Sequence, residues 1–250
     1  MAEPVVDVVI LTWNDGELLT AAVESALASV GVTVNVVVVD NGSDLPPDLP
    51  GDPRVTLVSN PANVGVAAGR NQGAVVGAAP LLCFLDSDAR LLPRCLARLV
   101  DPLSADPSVA LAVPVFTGQR PEASAGRAPT VTDKVRRVLN RTDRYRPMAT
   151  DGPWWDVDFG IGACQLVRRA DFLAVGGFDD SYFYGPEDVD LCLRLRERGR
   201  RVVQVTDAAC DHPPRRRFRG LLTQRGLQHG WAVARHLWRH RRFSHRTATA

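Results

Sequence analysis

The sequence feature that most limits the fold is an apolar run at residues 81–89 that is broken by Asp86 and Asp88. A continuous apolar run is typical of a parallel strand buried on both faces, and the end of such a strand delivers polar groups to the carboxyl edge of its sheet. Residues two apart in an extended segment point to the same side, so this pair predicts oxygen ligands for one hard cation. A strand-ending turn with an Asp cap on the next helix explains the same residues equally well, since Asp and Ser favour turns and N-caps.

The segments before this run alternate between strand and helix patterns. β-branched runs at residues 5–12 and 32–39 flank a segment with apolar residues at helical spacing, and a short strand is predicted at 55–58. This order predicts a parallel α/β sheet, whose ligands gather at the carboxyl ends of the strands. Polar residues follow three of these strands, namely Thr12 with Asn14, Asp40, and Asp86 with Asp88.

A narrow helix is predicted at residues 65–79, where glycine recurs every four residues and allows another backbone to approach closely. Arg70 within it is the one cation in residues 55–89 and lies beside strand ends that are rich in carboxylates. The segment matches neither the Gly-x-Gly-x-x-Gly fingerprint nor the Walker pattern, which argues against a dinucleotide site and a P-loop.

Further elements are predicted in the second half of the chain. Helices are expected at 93–103 and 170–175, strands at 109–116 and 202–205, and another strand after a close backbone approach that begins at Gly160. Pro186 is well placed in the first turn of a helix, and Glu187, Asp188 and Asp190 complement its positive end. Acidic residues are common in first turns, so these charges by themselves fit an ordinary helix start better than a catalytic site.

The chain of 250 residues is long enough for one large α/β domain or two small ones. It has no apolar stretch of about 18 residues, and its N-terminus lacks the basic start and cleavage site of a secretory signal. We therefore expect a cytoplasmic protein. The five cysteines are widely spaced and odd in number, which predicts small core residues and not disulfides or zinc ligands.

Charge divides the chain into an acidic body and a basic tail. Ten of the 30 basic residues lie in 213–250, which has no Asp or Glu, so residues 1–212 hold 20 basic and 28 acidic residues, a net charge of −8. The pattern predicts an amphipathic helical extension at 214–250. An apolar stripe among arginines fits binding to an anionic membrane surface, and packing on the main domain is an equal alternative. The acidic body argues against nucleic-acid binding.

Taken together and in order, seven stretches resemble the inverting family 2 glycosyltransferases, which have a GT-A fold. They are VVILTWN at 8–14, VVDNGSD at 38–44, NVGVAAGRN at 63–71, FLDSD at 84–88, GGFD at 176–179, GPEDVD at 185–190, and His212. Within that family the set is most similar to rhamnosyltransferase-like enzymes of bacterial cell-surface glycan assembly. The resemblance implies a GT-A catalytic domain at 1–213, with a Rossmann-like, mixed and mainly parallel sheet flanked by helices. Residues 117–153 are then expected to be a mobile lid or acceptor-binding loop, and a variable surface loop is the competing interpretation.

The resemblance also implies a nucleotide-diphosphate sugar donor and a divalent cation, Mg²⁺ or Mn²⁺. Breaking the bond to a diphosphate leaving group requires charge neutralisation, which a cation held by Asp88 would supply as a Lewis acid. Asp86 is expected toward the ribose or the cation, and His212 as a further ligand of the cation or the diphosphate. As a single residue, His212 is equally well explained as a structural or surface histidine.

By the same resemblance, Thr12, Asn14 and Asp40 line a nucleotide pocket, in which Asp40 accepts a hydrogen bond from the imide of uracil or thymine. Asn63 and Arg70 are expected to border the base or the diphosphate, where a guanidinium group suits phosphate.

Inversion requires an acceptor hydroxyl to attack from the face opposite the diphosphate while a base removes its proton. The resemblance implies Asp188 as that base, with Glu187 as the alternative.

These implications predict a metal-dependent enzyme that moves a sugar from a UDP- or dTDP-sugar, for example dTDP-rhamnose, to a hydroxyl of a glycan or lipid-linked acceptor. Such an enzyme would be cytoplasmic, and the tail would allow peripheral contact with the inner face of the membrane. A soluble secondary metabolite or a peptide is an alternative acceptor. A non-catalytic scaffold that binds sugar nucleotides is an alternative of another class, and the intact Asp-x-Asp and Glu-Asp pairs speak against it.

Overall fold

The computed structural model describes residues 3–118, 123–127 and 152–213. Most of the predicted lid at 117–153 and the whole of the predicted extension at 214–250 therefore lie outside the described residues. No helix in the described ranges is long and apolar enough to cross a membrane.

Strands and helices alternate through the first half of the described chain, as the sequence predicts. The strands are β1 Val5–Thr12, β2 Thr33–Asp40, β3 Val55–Ser59, β4 Leu81–Asp86, β5 Arg90–Leu91, β6 Val109–Thr117, β7 Ala125–Gly126, β8 Trp154–Asp156, β9 Phe159–Gly160, β10 Cys164–Arg168 and β11 Arg201–Asp211. The helices are α1 Glu17–Leu27, α2 Val66–Ala74, α3 Cys95–Ala105, α4 Arg169–Ala174 and α5 Glu187–Glu197.

One mixed sheet organises these elements, in the order β3-β2-β1-β4-β10-β6-β11-β5, and β8 pairs with β11 beside it. Strands β3, β2, β1 and β4 are mutually parallel, and β11 is parallel to β6. Strand β10 enters between β4 and β6 and is antiparallel to both. The predicted fold class is thereby confirmed, since the sheet is mixed and most of its paired residues are parallel.

Helices cover both faces of the sheet. Alternate strand residues point to opposite faces, so Val8 and Ile10 of β1 belong to one core cluster and Val9 to the other. Helices α1 and α3 pack on the first face, and α2, α4 and α5 pack on the second. All five cysteines are buried and form no disulfide, as the sequence predicts.

Helix α2 lies unusually close to the sheet because its inner face is glycine. A Cβ atom on Gly69 would lie 2.4 Å from Leu11 Cδ1, and one on Gly73 would lie 2.4 Å from Val9 Cγ1. The prediction of close backbone approach is confirmed. This closeness is what carries Arg70, one residue after Gly69, to the edge of the sheet where the strands end.

The predicted end of this helix at residue 79 is wrong, since the helix stops at Ala74. The buried carboxylate of Asp7 organises the following turn, because its Oδ2 accepts the Ala79 amide at 2.9 Å and the Arg169 guanidinium at 2.6 Å. Arg169 also donates to the Ala74 carbonyl. Buried polar partners far away in the sequence therefore end the helix.

The last strand is longer than the predicted 202–205. Strand β11 runs to Asp211, with a register irregularity between Val205 and Ala209. Its final residues pair antiparallel with β5, so that Asp211 lies opposite Arg90. This irregularity interrupts the alternation of buried and exposed residues by which a strand is recognised in a sequence. The additional length of β11 brings His212 beside Asp86 and Asp88 at the end of β4.

Candidate functional site

The carboxyl ends of the neighbouring strands β2, β1 and β4 bring the predicted polar residues to one edge of the sheet. Thr12 lies opposite Asp40 in the β1–β2 register, and Leu11 lies opposite Asp86 in the β1–β4 register. Thr12 and Asp40 are both buried. The predicted convergence of strand ends is confirmed by this register.

Asp40 and Asn14 shape the outer side of this edge. Asp40 Oδ1 accepts a hydrogen bond from the Ser43 amide at 3.0 Å. Asn14 is exposed, has φ of 60°, and exchanges two hydrogen bonds with Asp44: its Nδ2 donates to Oδ2 at 3.2 Å, and its Oδ1 accepts the Asp44 amide at 2.9 Å. Asn14 thus ties the loop after β1 to the loop after β2.

Asn41 is a buried residue of this edge that the site assignment from sequence missed. Its amide donates to the Thr12 carbonyl at 2.9 Å, and its side-chain Nδ2 donates to Asn63 Oδ1 at 3.0 Å and to the Gly65 carbonyl at 3.2 Å. Its Oδ1 accepts the Val64 amide at 3.0 Å. Asn63 is therefore placed in a network that fixes the loop before α2. The signals in the sequence are its position directly after a strand-ending Asp and its place in the stretch VVDNGSD at 38–44.

Asp86, Asp88 and His212 form a candidate metal centre. Each offers a ligand atom, and these atoms lie within 4.8 Å of one another. His212 Nε2 is 3.7 Å from Asp88 Oδ1, and the imidazole packs on Phe116 with ring centroids 5.0 Å apart. The Nδ1 atom of His212 is buried and has no hydrogen-bond partner in the part of the chain that the structure describes. Two carboxylates and one imidazole are a donor set that suits a divalent cation such as Mn²⁺, so the residues fit the implied group.

Ser87 between the two carboxylates is held from the first loop. Its hydroxyl donates to Asp15 Oδ2 at 2.5 Å, and the Trp13 amide donates to the same oxygen at 3.4 Å. Asp15 was not assigned to the site from sequence, although it lies next to Asn14. It joins the loop after β1 to the turn that carries the candidate metal ligands.

Arg70 lies at the centre of a second cluster, and its side chain is only 4% exposed. Its Nη2 donates to Asp86 Oδ1 at 2.6 Å and to the Gly162 carbonyl at 2.9 Å, and its Nη1 donates to Glu187 Oε1 at 3.3 Å. Its guanidinium carbon lies 5.6 Å from the centroid of the Phe178 ring. Burial works to lower the pKa of Arg70, but the charges of Asp86 and Glu187 outweigh it and raise that pKa.

Glu187 opens helix α5 and is buried against this guanidinium. Burial, together with the charge of Asp188, raises the pKa of Glu187 to about 7, although Arg70 opposes the shift. Its Oε1 accepts from Arg70, whereas its Oε2 is buried and has no hydrogen-bond partner among the described residues. Glu187 is thus a carboxyl that is poised to exchange a proton near neutral pH.

Asp188 follows it and is fixed by backbone amides. Its Oδ2 accepts the Gly162 amide at 2.8 Å, and its Oδ1 accepts the Val189 amide at 2.7 Å. Burial raises the pKa of Asp188, and these two hydrogen bonds oppose the rise. A Cβ atom at Gly162 would lie 2.8 Å from Arg70 Nη1 and 3.0 Å from the Asp188 Cβ, so only glycine fits between them. Gly162 lies in the predicted segment of close backbone approach.

The geometry therefore joins two clusters through Asp86. On one side lie the candidate metal ligands, and on the other lie Arg70, Glu187 and Asp188. Asn14 and Asn63 lie instead in the loop networks that shape the outer edge. Such a site can hold a cation and an anionic leaving group beside a carboxyl group that accepts a proton.

Comparison with known proteins agrees with this geometry. The sequence model of the family described as Glycosyl transferase family 2 matches residues 7–176, more than half of the chain. The pre-mycofactocin glycosyltransferase of Mycobacterium tuberculosis is 29% identical over 208 residues, which cover 80% of this chain and 42% of that protein. The N-acetylglucosaminyl-diphospho-decaprenol L-rhamnosyltransferase of the same organism is 29% identical over 234 residues, which cover 83% of this chain and 76% of that protein. The chain thus spans less than half the length of the first of these relatives.

Two solved structures share the fold. GalNAc-T7, solved with UDP, GalNAc and Mn²⁺, has a TM-score of 0.67 at 17% identity and covers 89% of this chain and 46% of its own. The mannosyltransferase PcManGT of Pyrobaculum calidifontis, solved with GDP-Man and Mn²⁺, has a TM-score of 0.61 at 21% identity and covers 87% of this chain and 59% of its own. At these identities the likeness concerns the fold, which is the GT-A fold of glycosyltransferases.

Proposed function

Because this chain belongs to glycosyl transferase family 2, we propose that it moves a sugar from a nucleotide-diphosphate donor to an acceptor hydroxyl with inversion at the anomeric carbon. The observation that carries the proposal is the single edge of the sheet at which Asp86, Asp88 and His212 meet the Arg70–Glu187–Asp188 cluster. This arrangement supplies both things that the reaction needs, namely charge neutralisation for the leaving group and a base for the acceptor.

Asp86, Asp88 and His212 would hold a divalent cation, Mg²⁺ or Mn²⁺. When bound, the cation supplies Lewis-acid neutralisation of the departing diphosphate. Asp86 would contribute a carboxylate oxygen to the cation or to the ribose while its Oδ1 accepts the hydrogen bond from Arg70.

The nucleoside would lie at the outer edge, over Thr12, Asn14 and Asp40. The carboxylate of Asp40 is held in place by the Ser43 amide, which suits an acceptor for a base imide. UDP and dTDP present the same imide, so the proposal extends to both donors, with dTDP-rhamnose among them.

Asp188 would take the proton of the attacking hydroxyl. Backbone amides fix both of its oxygens, so its orientation does not depend on the substrate. Glu187 beside it, with a buried Oε2 and a pKa of about 7, is the alternative base. Attack from this side, opposite the diphosphate, gives inversion.

The acceptor is proposed to be a glycan or a lipid-linked sugar. The relative that is named as a rhamnosyltransferase of a decaprenol-linked sugar supports such an acceptor. The validoxylamine A glucosyltransferase of Streptomyces hygroscopicus subsp. limoneus, 28% identical over 78% of this chain, supports a soluble metabolite as the alternative. A basic tail that contacts an anionic membrane stays a prediction, since it rests on residues outside the described ranges.

Release of nucleoside diphosphate from a panel of donors tests the proposal. UDP-glucose, UDP-N-acetylglucosamine and dTDP-rhamnose are each incubated with the protein, Mn²⁺ and candidate acceptors, and products are quantified by chromatography. We expect one donor to be consumed by the wild type and spared by Asp88→Ala. Binding of these nucleotides without any consumption would favour the non-catalytic scaffold instead.

A further inference from the structure

Arg70 is a residue of the predicted nucleotide site whose geometry points to a different role. We propose that Arg70 is a positioning residue, which holds Asp86 on the cation side and Glu187 on the acceptor side, and that it does not bind the donor diphosphate. This inference rests on the proposed function, because it assigns a role within the same site. It replaces the expectation that the guanidinium group borders a phosphate.

The first argument is the occupation of the guanidinium group. Both terminal nitrogens already donate to protein oxygens: Nη2 to Asp86 and to the Gly162 carbonyl, and Nη1 to Glu187. The side chain is 4% exposed, so little of it is open to a ligand. These bonds take three of the five N–H groups, and a phosphate that used them would displace the half-exposed carboxylate of Asp86 or the buried carboxylate of Glu187, which would leave charge without its partner.

The second argument is that the three partners of Arg70 lie in three different segments of the chain. Asp86 ends β4, Gly162 lies in the turn before β10, and Glu187 opens α5, at sequence separations from Arg70 of 16, 92 and 117 residues. A planar guanidinium fork fixes the direction of each hydrogen bond, which a flexible ammonium group does not. One side chain therefore sets the relative positions of three segments that carry the proposed chemistry.

The third argument concerns Asp188, which Arg70 positions through Gly162. The carbonyl of Gly162 accepts from Arg70, and its amide donates to Asp188 Oδ2 at 2.8 Å. The backbone of Gly162 is packed closely against the guanidinium group, since a Cβ at this glycine would lie only 2.8 Å from Arg70 Nη1. Movement of the guanidinium would shift both acidic residues of α5 relative to Asp86.

Arg194 provides a matched control. It is also a buried arginine, with its Nε donating to Asp190 at 2.6 Å and its two Nη atoms donating to the carbonyls of Val175 and Gly177 at 2.6 and 2.7 Å. It thus has one carboxylate and two carbonyl partners, but none of the residues proposed to act on substrate. Arg70→Lys and Arg194→Lys remove the same fork from two comparable buried environments.

Two measurements on the full chain separate positioning from phosphate binding. Calorimetry in EDTA gives the affinities of UDP and UMP, or of dTDP and dTMP if these bind more tightly, and their ratio reports the contribution of the second phosphate. Initial rates of nucleoside diphosphate release with Mn²⁺, from the donor found in the panel, give kcat and KM for that donor.

For Arg70→Lys we expect the diphosphate-to-monophosphate affinity ratio to stay within twofold of wild type. We expect kcat to fall about 100-fold with little change in donor KM, because misplacement by about 1 Å can cost that much. Arg194→Lys should keep kcat within about threefold at matched folded fraction. Arg70→Lys should lower kcat far less in the Glu187→Gln variant than in the wild type, because the effects of substitutions in residues that act as a unit are not additive.

A tenfold loss of the affinity ratio in Arg70→Lys would overturn the inference and restore a phosphate ligand. Equal losses of kcat in Arg70→Lys and Arg194→Lys would also overturn it, since Arg70 would then be only a structural ion pair. Failure of the wild type to bind any of these nucleotides would refute the proposed function itself. If Arg70→Lys does not fold, Arg70→Gln is measured in the same way: an affinity ratio within twofold of wild type with a lower kcat supports the inference, and a tenfold loss of the ratio overturns it.

Discussion

At the scale of single residues, the site depends on how the protein holds charge that water no longer stabilises. Glu187 and Asp188 are adjacent, both are partly or fully buried, and burial raises the pKa of each. The protein stabilises the two carboxyl groups through different hydrogen bonds. Asp188 accepts hydrogen bonds from two backbone amides, whereas Glu187 accepts one long hydrogen bond from Arg70, and its other oxygen has no partner within the described ranges. Two neighbouring carboxyl groups thereby acquire different environments, which suits an ionised base beside a protonated neighbour.

Asp188→Asn tests the assignment of the base. The amide is nearly isosteric but cannot take a proton, so we expect turnover to fall by roughly 10² to 10⁴ while donor affinity changes little. Steady-state rates and calorimetry with the donor nucleotide measure the two effects. Asp180→Asn, a change at an exposed carboxylate eight residues earlier, is the control and should leave both unchanged. Wild-type turnover in Asp188→Asn would remove Asp188 from the mechanism.

Glu187→Gln tests the buried carboxyl group through stability. The folded-state pKa of about 7 lies above the ordinary value of 4.5, so the protonated form favours the folded state. Its contribution to the free energy of unfolding is complete below about pH 4.5 and is lost as the pH rises through about 7. Relative to Glu187→Gln, the wild type should therefore lose on the order of 1–3 kcal/mol between pH 4.5 and 7.5.

Urea unfolding in EDTA at pH 5, 6, 7 and 8 measures this difference. Glu24→Gln, a change at an exposed carboxylate of α1, supplies the control and should leave the pH dependence of unfolding unchanged. Parallel curves for wild type and Glu187→Gln would show that Glu187 is ionised throughout and would contradict the raised pKa.

At the scale of elements, the glycine face of α2 decides where Arg70 lies. A helix with ordinary side chains would stand further from β1 and could not bring this guanidinium to the end of β4. Gly73→Ala should therefore destabilise the fold by about 1–3 kcal/mol, because its Cβ would lie 2.4 Å from Val9 Cγ1 and 2.9 Å from Val39 Cγ2. In a helix with free space at that position, a change from glycine to alanine would instead stabilise the fold. Chemical denaturation measures the loss. Gly51→Ala is the control, because no described residue beyond its two chain neighbours lies within 4 Å of the added Cβ.

The same element shows what sequence patterns can predict. The glycine spacing predicted the close approach of α2, and the strand-ending polar residues predicted the edge at which β1, β2 and β4 deliver Thr12, Asp40 and Asp86. These features depend on local periodicity and on the parallel order of the strands. The end of α2 and the length of β11 were not predictable, because Asp7 with Arg169 and the pairing of β11 with β5 act over long sequence distances.

The partners of Arg70 show the same limit. The sequence marks Arg70 as an isolated cation near carboxylates, but both donor phosphate and protein carboxylates would satisfy that pattern. Its contacts with Gly162 and Glu187, which are 92 and 117 residues away, are the observations that favour protein carboxylates, and no local pattern in the sequence shows them. Asn41 was missed for a similar reason, since its role depends on loops that follow different strands.

At the scale of the whole molecule, the fold brings the proposed metal ligands together from distant segments. Asp86 and Asp88 follow a central strand, and His212 follows the last described strand, which reaches them by pairing with β5. The common edge explains why weak motifs spread over about 200 residues indicate one function. It also means that the cation and the nucleotide should bind cooperatively, because each compensates charge on the other.

The most direct measurement of the central claim is calorimetric titration of UDP and dTDP, each with Mn²⁺ or EDTA, into wild type and Asp88→Ala. We expect the wild type to bind one nucleotide at least tenfold more tightly with Mn²⁺ than with EDTA, because a cation held by the carboxylates would neutralise the charge of the diphosphate. Asp88→Ala should lose this gain and keep the weaker metal-free binding. Equal affinities with Mn²⁺ and EDTA in the wild type, or an undiminished gain in Asp88→Ala, would contradict a metal-dependent transferase centred on this site.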